Sequence, residues 1–327
     1  MKALVTGAAG FIGSHVVRHC LALGMDVVAL DDLSGGFIEN VPIGARWINA
    51  SVTDWGKLQT IFDVEQFDYV YHLAAYAAEG LSHFIRRYNY KNNLLGSINL
   101  INLSILHRVK CFVFTSSIAV YGSGKAPFSE EMVPQPEDPY GVSKYAVELD
   151  LRAAYKQFGL PYVIFRPHNV YGENQNIGDK YRNVIGILMN QILTGQSLTI
   201  FGDGEQTRAF SYIDDVAPVI ARSVAVSAAY GETFNVGGDY PCTVNELVRK
   251  VGTAMDVKPE VRYLPKRNEA KHAFSLHQKA RSFFEMASPV PLEHGLVRMA
   301  KWAKEVGSRK TKDFAEIEIS RGLPNGW

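Results

Sequence analysis

Met1-Lys-Ala-Leu-Val-Thr-Gly7-Ala-Ala-Gly10-Phe-Ile-Gly13-Ser-His is the stretch on which the fold turns. Residues 2–5 form a short apolar run, and residues 11–23 place Ile12, Val16, Leu21 and Leu23 near helical spacing, so Gly7, Gly10 and Gly13 fall where a strand becomes a helix. Glycine permits a tight turn and close approach of a ligand, while the unpaired N–H groups at the start of the next helix attract an anion. A dinucleotide pyrophosphate fits that description. A second apolar run, Val27-Val-Ala-Leu30, ends in Asp31-Asp32 about 18 residues beyond Gly13, close to the spacing of a ribose-binding acid. A carboxylate accepts from a ribose 2′-hydroxyl and repels a 2′-phosphate, so Asp31 argues for NAD over NADP.

The rest of the chain extends this reading. Strand-like runs recur at 69–73, 111–115 and 162–165, with helical periodicity between them at 94–106 and 144–158. This alternation predicts an α/β fold with a doubly wound parallel Rossmann sheet. After Pro167 the pattern shifts to helices at 184–193 and 244–255 and short strands at 198–201 and 233–236. Residues 1–167 are therefore expected to form the NAD-binding part, with segments near 205–237 returning to it, and 168–327 mainly a smaller α/β substrate-binding lobe. Residues 310–327 read as a tail, either packed or frayed.

Composition narrows the function classes. The 327 residues are 47% hydrophobic, enough for a large core, and 34 Lys+Arg against 33 Asp+Glu leave no basic surface for nucleic acid. Cys20, Cys111 and Cys242 lie in or beside apolar segments without metal-ligand spacing, so free buried thiols, a reducing cytoplasm and no metal are expected. No apolar stretch reaches the roughly 20 residues that span a bilayer.

Tyr140-Gly-Val-Ser-Lys144 carries the candidate chemistry. A phenol, with a reference pKa of about 10, is a base near neutral pH only where positive charge stabilises the phenolate. Lys144 stands one helical turn from Tyr140, and Pro139 suits the start of that helix.

With Phe114-Thr-Ser-Ser117-Ile-Ala-Val-Tyr-Gly122, His72-Leu-Ala-Ala75, Asn92-Asn93, Arg166-Pro-His-Asn169-Val-Tyr-Gly172 and Gly202-Asp-Gly-Glu-Gln-Thr-Arg208 in the same order, the chain resembles the extended short-chain dehydrogenase/reductases, specifically their nucleotide-sugar epimerases. The resemblance covers nearly the whole chain. It implies a catalytic set of Ser117, Tyr140 and Lys144, with Ser117 holding the reacting oxygen near Tyr140. It implies NAD contacts at Gly7, Gly10, Phe11, Ile12, Gly13, Asp31, Asp32, Ser34, Ser51, Val52, Leu73, Ala74, Ala75, Asn93, Thr115, Tyr140, Lys144 and Pro167. For the substrate it implies Glu79, Ser117, Asn169, Asn183, Arg208 and, in Leu264-Pro-Lys-Arg267, Arg267. Ser51 stands where the family often has an Asp that touches adenine. A homodimer through helices near 92–107 and 139–158 is implied as well, with Leu94, Leu95, Ile98, Leu100 and Ile101 as its apolar candidates.

Dehydratases of this resemblance place Asp-Glu before Val-Tyr-Gly, and decarboxylases keep the Glu; here Ile118 and Ala119 stand there, and neither moves a proton. The expectation is inversion at C4 of a UDP-linked hexose, glucose/galactose or their N-acetyl or uronic forms, through a transient 4-keto sugar. A nucleotide-sugar reductase and a non-catalytic NAD-binding protein are the other classes that the residues leave open.

Overall fold

The computed structural model describes residues 1–266, 271–310, 314–315 and 317–324. Its centre is a seven-stranded parallel sheet. Six strands come from the first half: β1 (Lys2–Thr6), β2 (Asp26–Asp31), β3 (Arg46–Asn49), β4 (Tyr69–His72), β5 (Cys111–Thr115) and β6 (Tyr162–Pro167). The seventh is Glu232–Val236, and the order across the sheet is Glu232–Val236, β6, β5, β4, β1, β2, β3.

Successive residues of a strand face opposite sides. Ala3 and Val5 of β1, with Val27 and Ala29 of β2, pack into the core beneath helix α1 (Phe11–Ala22) and helix Ile213–Arg222. Leu4, Val28 and Leu30 pack into the opposite core with helices Trp55–Glu65, Gly96–Leu106 and Pro139–Phe158. Both faces are covered, so the central strands β1, β4 and β5 are buried at nearly every position rather than alternating. His72 is a buried pin between the layers: its Nδ1 lies 2.7 Å from Thr6 Oγ1 and its Nε2 2.8 Å from Ser97 Oγ. Burial pulls its pKa down to about 3, so the ring is neutral.

Chain order reverses at β1, whose neighbours are β2 and β4, and the crevice beyond the carboxyl ends of such a pair is where doubly wound sheets hold ligands. The second half builds the opposite wall from helices Val184–Leu193 and Val244–Met255, the strand pair Leu198–Phe201 and Val261–Leu264, and strand Thr207–Ala209 between Pro241–Thr243 and His272–Ala273. Among the described residues no helix is long and apolar enough to cross a membrane, and all three cysteines are free.

One sequence expectation changes, and one left open is decided for the described residues. Leu100 and Ile101 are fully buried in their own subunit's core, so they supply no apolar surface for a partner; Leu95, Val142 and Leu149 remain exposed on the two helices. The tail packs at its described residues, with Phe314, Ile317 and Leu323 in an apolar cluster around Ala78, Leu81 and Ile85.

Candidate active site

A cavity of about 1800 Å³ runs along the carboxyl ends of the strands and under the second half. At one end is the glycine turn. Gly7 has φ +70°, and a Cβ there would lie 2.7 Å from Ala74 N; a Cβ on Gly13 would lie 1.9 Å from Gly7 O. No side chain fits at either position, so the turn presents bare backbone at the start of α1.

Asp31 closes this end. Its carboxylate accepts from Ala9 N at 3.1 Å and Leu33 N at 2.8 Å, tying the glycine turn to the end of β2. Burial raises its pKa, and the hydrogen bonds from Leu33 and Ala9 oppose that rise. Thr115 lines the cavity, and its buried Oγ1 has no hydrogen-bond partner among the described residues. A bare turn, a carboxylate at its edge and an orphaned hydroxyl suit a dinucleotide with ribose hydroxyls. Asp31→Ala is expected to weaken NAD binding roughly 10- to 100-fold by removing hydrogen bonds to a charged acceptor, and to narrow the preference over NADP. Titration of both dinucleotides checks it; a wild-type preference for NADP would overturn the role.

Farther along the crevice, Asp138 caps helix Pro139–Phe158 by accepting from Gly141 N at 2.9 Å, and Pro139 opens the first turn, which sets Tyr140 and Lys144 over the end of β5. Lys144, 2% exposed, donates to Thr115 O at 2.8 Å, and its Nζ lies 5.9 Å from the Tyr140 ring centre. Burial brings its pKa down to about 7, partly opposed by Glu148 one turn later.

The phenol is buried as well. Burial pushes the Tyr140 pKa well up, and the negative charges of Asp138 and Glu79 add to the rise; the hydrogen bond with Ser117 and the positive charge of Arg182 oppose it. Ser117, two residues beyond β5, caps the helical turn Ile118–Tyr121, where its Oγ also accepts from Ala119 N at 3.1 Å. Ser117 therefore hydrogen-bonds Tyr140, and Lys144 stands one helical turn further along.

Among the other expected contacts, Phe11, Ile12, Ser34, Val52, Leu73, Ala75 and Pro167 line the cavity with Asp32. Ser51 and Asn93 do not. Ser51 Oγ pairs with Thr53 Oγ1 at 3.1 Å. Asn93 is a buried strut: its Oδ1 accepts from Tyr76 N at 2.8 Å and its Nδ2 donates to Tyr76 O at 3.1 Å, which fixes the loop that follows β4.

On the substrate side, Glu79, Asn169, Asn183 and Arg208 all line the cavity. Asn169, at φ +41°, donates to Ala209 O at 3.0 Å, linking the turn after β6 to the strand of Arg208. Asn183, at φ +63°, precedes helix Val184–Leu193 without capping it, and Glu79 starts the helical turn Glu79–Ser82. Arg267 lies outside the described residues. Tyr76, Tyr88, Lys180 and Arg182 also line the cavity, and reasoning from the sequence missed them because none sits in a motif.

Residues 3–237 match the model of the NAD dependent epimerase/dehydratase family. The chain belongs to that family. It is 31% identical over 310 residues to UDP-glucose 4-epimerase of Mycolicibacterium smegmatis, covering 92% of this chain and 98% of that one. The UDP-glucose 4-epimerase of Thermotoga maritima, solved with UDP-glucose, superposes with a TM-score of 0.89 at 33% identity, over 94% of this chain and 99% of that chain. The UDP-glucuronic acid 4-epimerase of Bacillus cereus, solved with UDP-glucuronic acid and NAD, gives 0.85 at 30% identity, over 94% and 100%. This epimerase is accordingly an NAD-dependent isomerase of the nucleotide-sugar 4-epimerase group.

Proposed function

We propose that this epimerase interconverts the C4 epimers of a UDP-linked hexose, with UDP-glucose and UDP-galactose the favoured pair. The observation that carries the reading is the meeting of Ser117, Tyr140 and Lys144 beneath a cavity whose far wall holds Asn169 and Arg208. NAD, when bound, supplies the hydride acceptor that returns the same hydride to C4. The protein's own residues handle the proton. Tyr140 takes the proton of the 4-hydroxyl as that carbon is oxidised and gives it back as the carbon is reduced, while Ser117 holds the oxygen within reach. Lys144, with a pKa near neutrality, is poised to carry the positive charge that the phenolate needs.

Inversion requires the keto sugar to turn over between the two hydride transfers, so binding energy belongs on the diphosphate and not on the ring. Asn169 and Arg208 supply polar donors for it, and a guanidinium suits phosphate oxygens. Ile118, on the cavity wall, and buried Ala119 offer no acid or base beside the sugar.

Incubating the purified protein with UDP-glucose and no added cofactor tests the reading. The expected result is a second isomer of unchanged mass, reaching the same ratio from either side. A need for stoichiometric dinucleotide would favour the reductase reading, and loss of water or carbon dioxide would refute the role given to Ile118 and Ala119. UDP-glucuronate belongs in the same panel, because Lys180 and Arg182 bring two cations to the cavity. Faster turnover of the uronate would make it the substrate.

We further propose that two copies pair through helices Gly96–Leu106 and Pro139–Phe158. Exposed Leu95, Val142 and Leu149 support this, as does the groove between the helices lined by Tyr90, Leu94 and Ile98. Light scattering should give twice the 36.3 kDa chain mass, and a monomer at assay concentration would refute it.

A further inference from the structure

Beyond the last helix, Leu292–Val306, the described residues make contacts in two places near the cavity. At the cofactor end Arg309 exchanges hydrogen bonds with the Asn190 side chain at 2.9 and 3.1 Å, and its guanidinium covers the Phe37 ring at 3.6 Å. Phe37 N in turn donates to Ala9 O of the glycine turn at 3.0 Å.

At the other end the tail grips the loop that carries Glu79. Phe314 packs against Tyr76 and Tyr88, with ring centres 5.2 and 4.8 Å away. Glu318 N and Ile319 N donate to Phe84 O at 2.8 and 3.1 Å. The Glu318 carboxylate accepts from Arg87 N and Tyr88 N, each at 2.8 Å. Those two amides open a helical run whose own first residue, Ile85, provides no side-chain cap, so the cap comes from 231 residues away in sequence. Pro324 lines the cavity itself.

The gripped loop is tied on its inner side to the catalytic helix. Ser82 Oγ donates to Asp138 Oδ1 at 3.4 Å, and Asn89 Nδ2 donates to Pro139 O at 2.8 Å, one residue before Tyr140. Tyr76, Glu79 and His83 of this loop face the cavity. The loop is thus clamped between the start of the Tyr140 helix and the tail.

We propose that the described residues of 314–324 form one wall of the nucleotide-sugar site, and that Glu318 is its positioning residue, holding loop 76–85 at the distance from Tyr140 that a hexose fills. This rests on the function proposed above. A tail that merely stabilised the fold would alter denaturation and leave substrate affinity alone.

The test uses the full chain with Glu318→Ala and Glu318→Gln. Loss of the cap in Glu318→Ala is expected to speed amide exchange at Arg87 and Tyr88 and to raise KM for UDP-glucose about 3- to 30-fold. Turnover at saturation and NAD affinity should stay near the unaltered values, and Glu318→Gln, which keeps one acceptor oxygen, should recover part of the KM. Faster exchange with an unchanged KM would overturn the proposal while leaving the proposed function standing, as would unchanged exchange. An unaltered protein that neither binds nor turns over UDP-glucose would overturn both.

Discussion

Tyr140→Phe is expected to lower turnover about 10²–10⁴-fold or more while the protein still folds and binds NAD. The ring is buried and contributes packing that Phe preserves, whereas the hydroxyl hydrogen-bonds Ser117 and is the group proposed to move the proton. Burial raises the pKa of the phenol, so the residue becomes a base only with positive charge close by. Measured turnover of UDP-glucose beside the NAD content of the purified variant checks this. Near-native epimerisation by a folded variant would sink the assignment.

The largest stability loss is expected for Arg166→Met. Arg166 and Glu148 are 1% and 0% exposed, joined by hydrogen bonds at 2.9 and 2.5 Å; Ser116 donates to the same carboxylate at 2.6 Å, and Arg166 reaches Tyr121 OH at 2.7 Å. Removing the guanidinium strands the carboxylate in the core, where breaking one half of a buried pair costs about 3–5 kcal/mol. Arg152, 3.7 Å from Glu148 and half exposed, is too distant to replace it fully. A urea midpoint series checks the loss, and Glu148→Gln combined with Arg166→Met should recover much of it. A loss below about 1 kcal/mol would show that Arg152 or water satisfies the carboxylate.

Most of the cofactor end was legible in the sequence because its constraints are local. A strand, three glycines and an acid at fixed spacing leave few other conformations, and Tyr140 and Lys144 need only a helix to meet. What escaped was decided by tertiary context. Strand β3, Arg-Trp-Ile-Asn, is half exposed at the sheet edge and lacks an apolar run, while Pro218 disguises helix Ile213–Arg222. Asn93 reads as a ligand contact but spends its amide on the Tyr76 backbone. The sugar wall was the least visible part. Glu318 and Tyr88 share no motif or period; only the folded chain brings them together.

Strand Glu232–Val236 bears on how the protein is made. Among the described residues it is the partner of β6 on the outer side, with Phe234 beside Phe165 and Val236 beside Pro167. During synthesis β6 leaves the ribosome long before that partner, and at about 5–20 residues per second the wait lasts on the order of 3–14 s. For that interval a row of unpaired backbone groups, flanked by Val163, Ile164 and Phe165, is open to pairing with another nascent chain. Translation speed between residues 167 and 232 is thus a lever on soluble yield: slowing it prolongs the open edge, and expression at lower chain density should relieve the resulting aggregation.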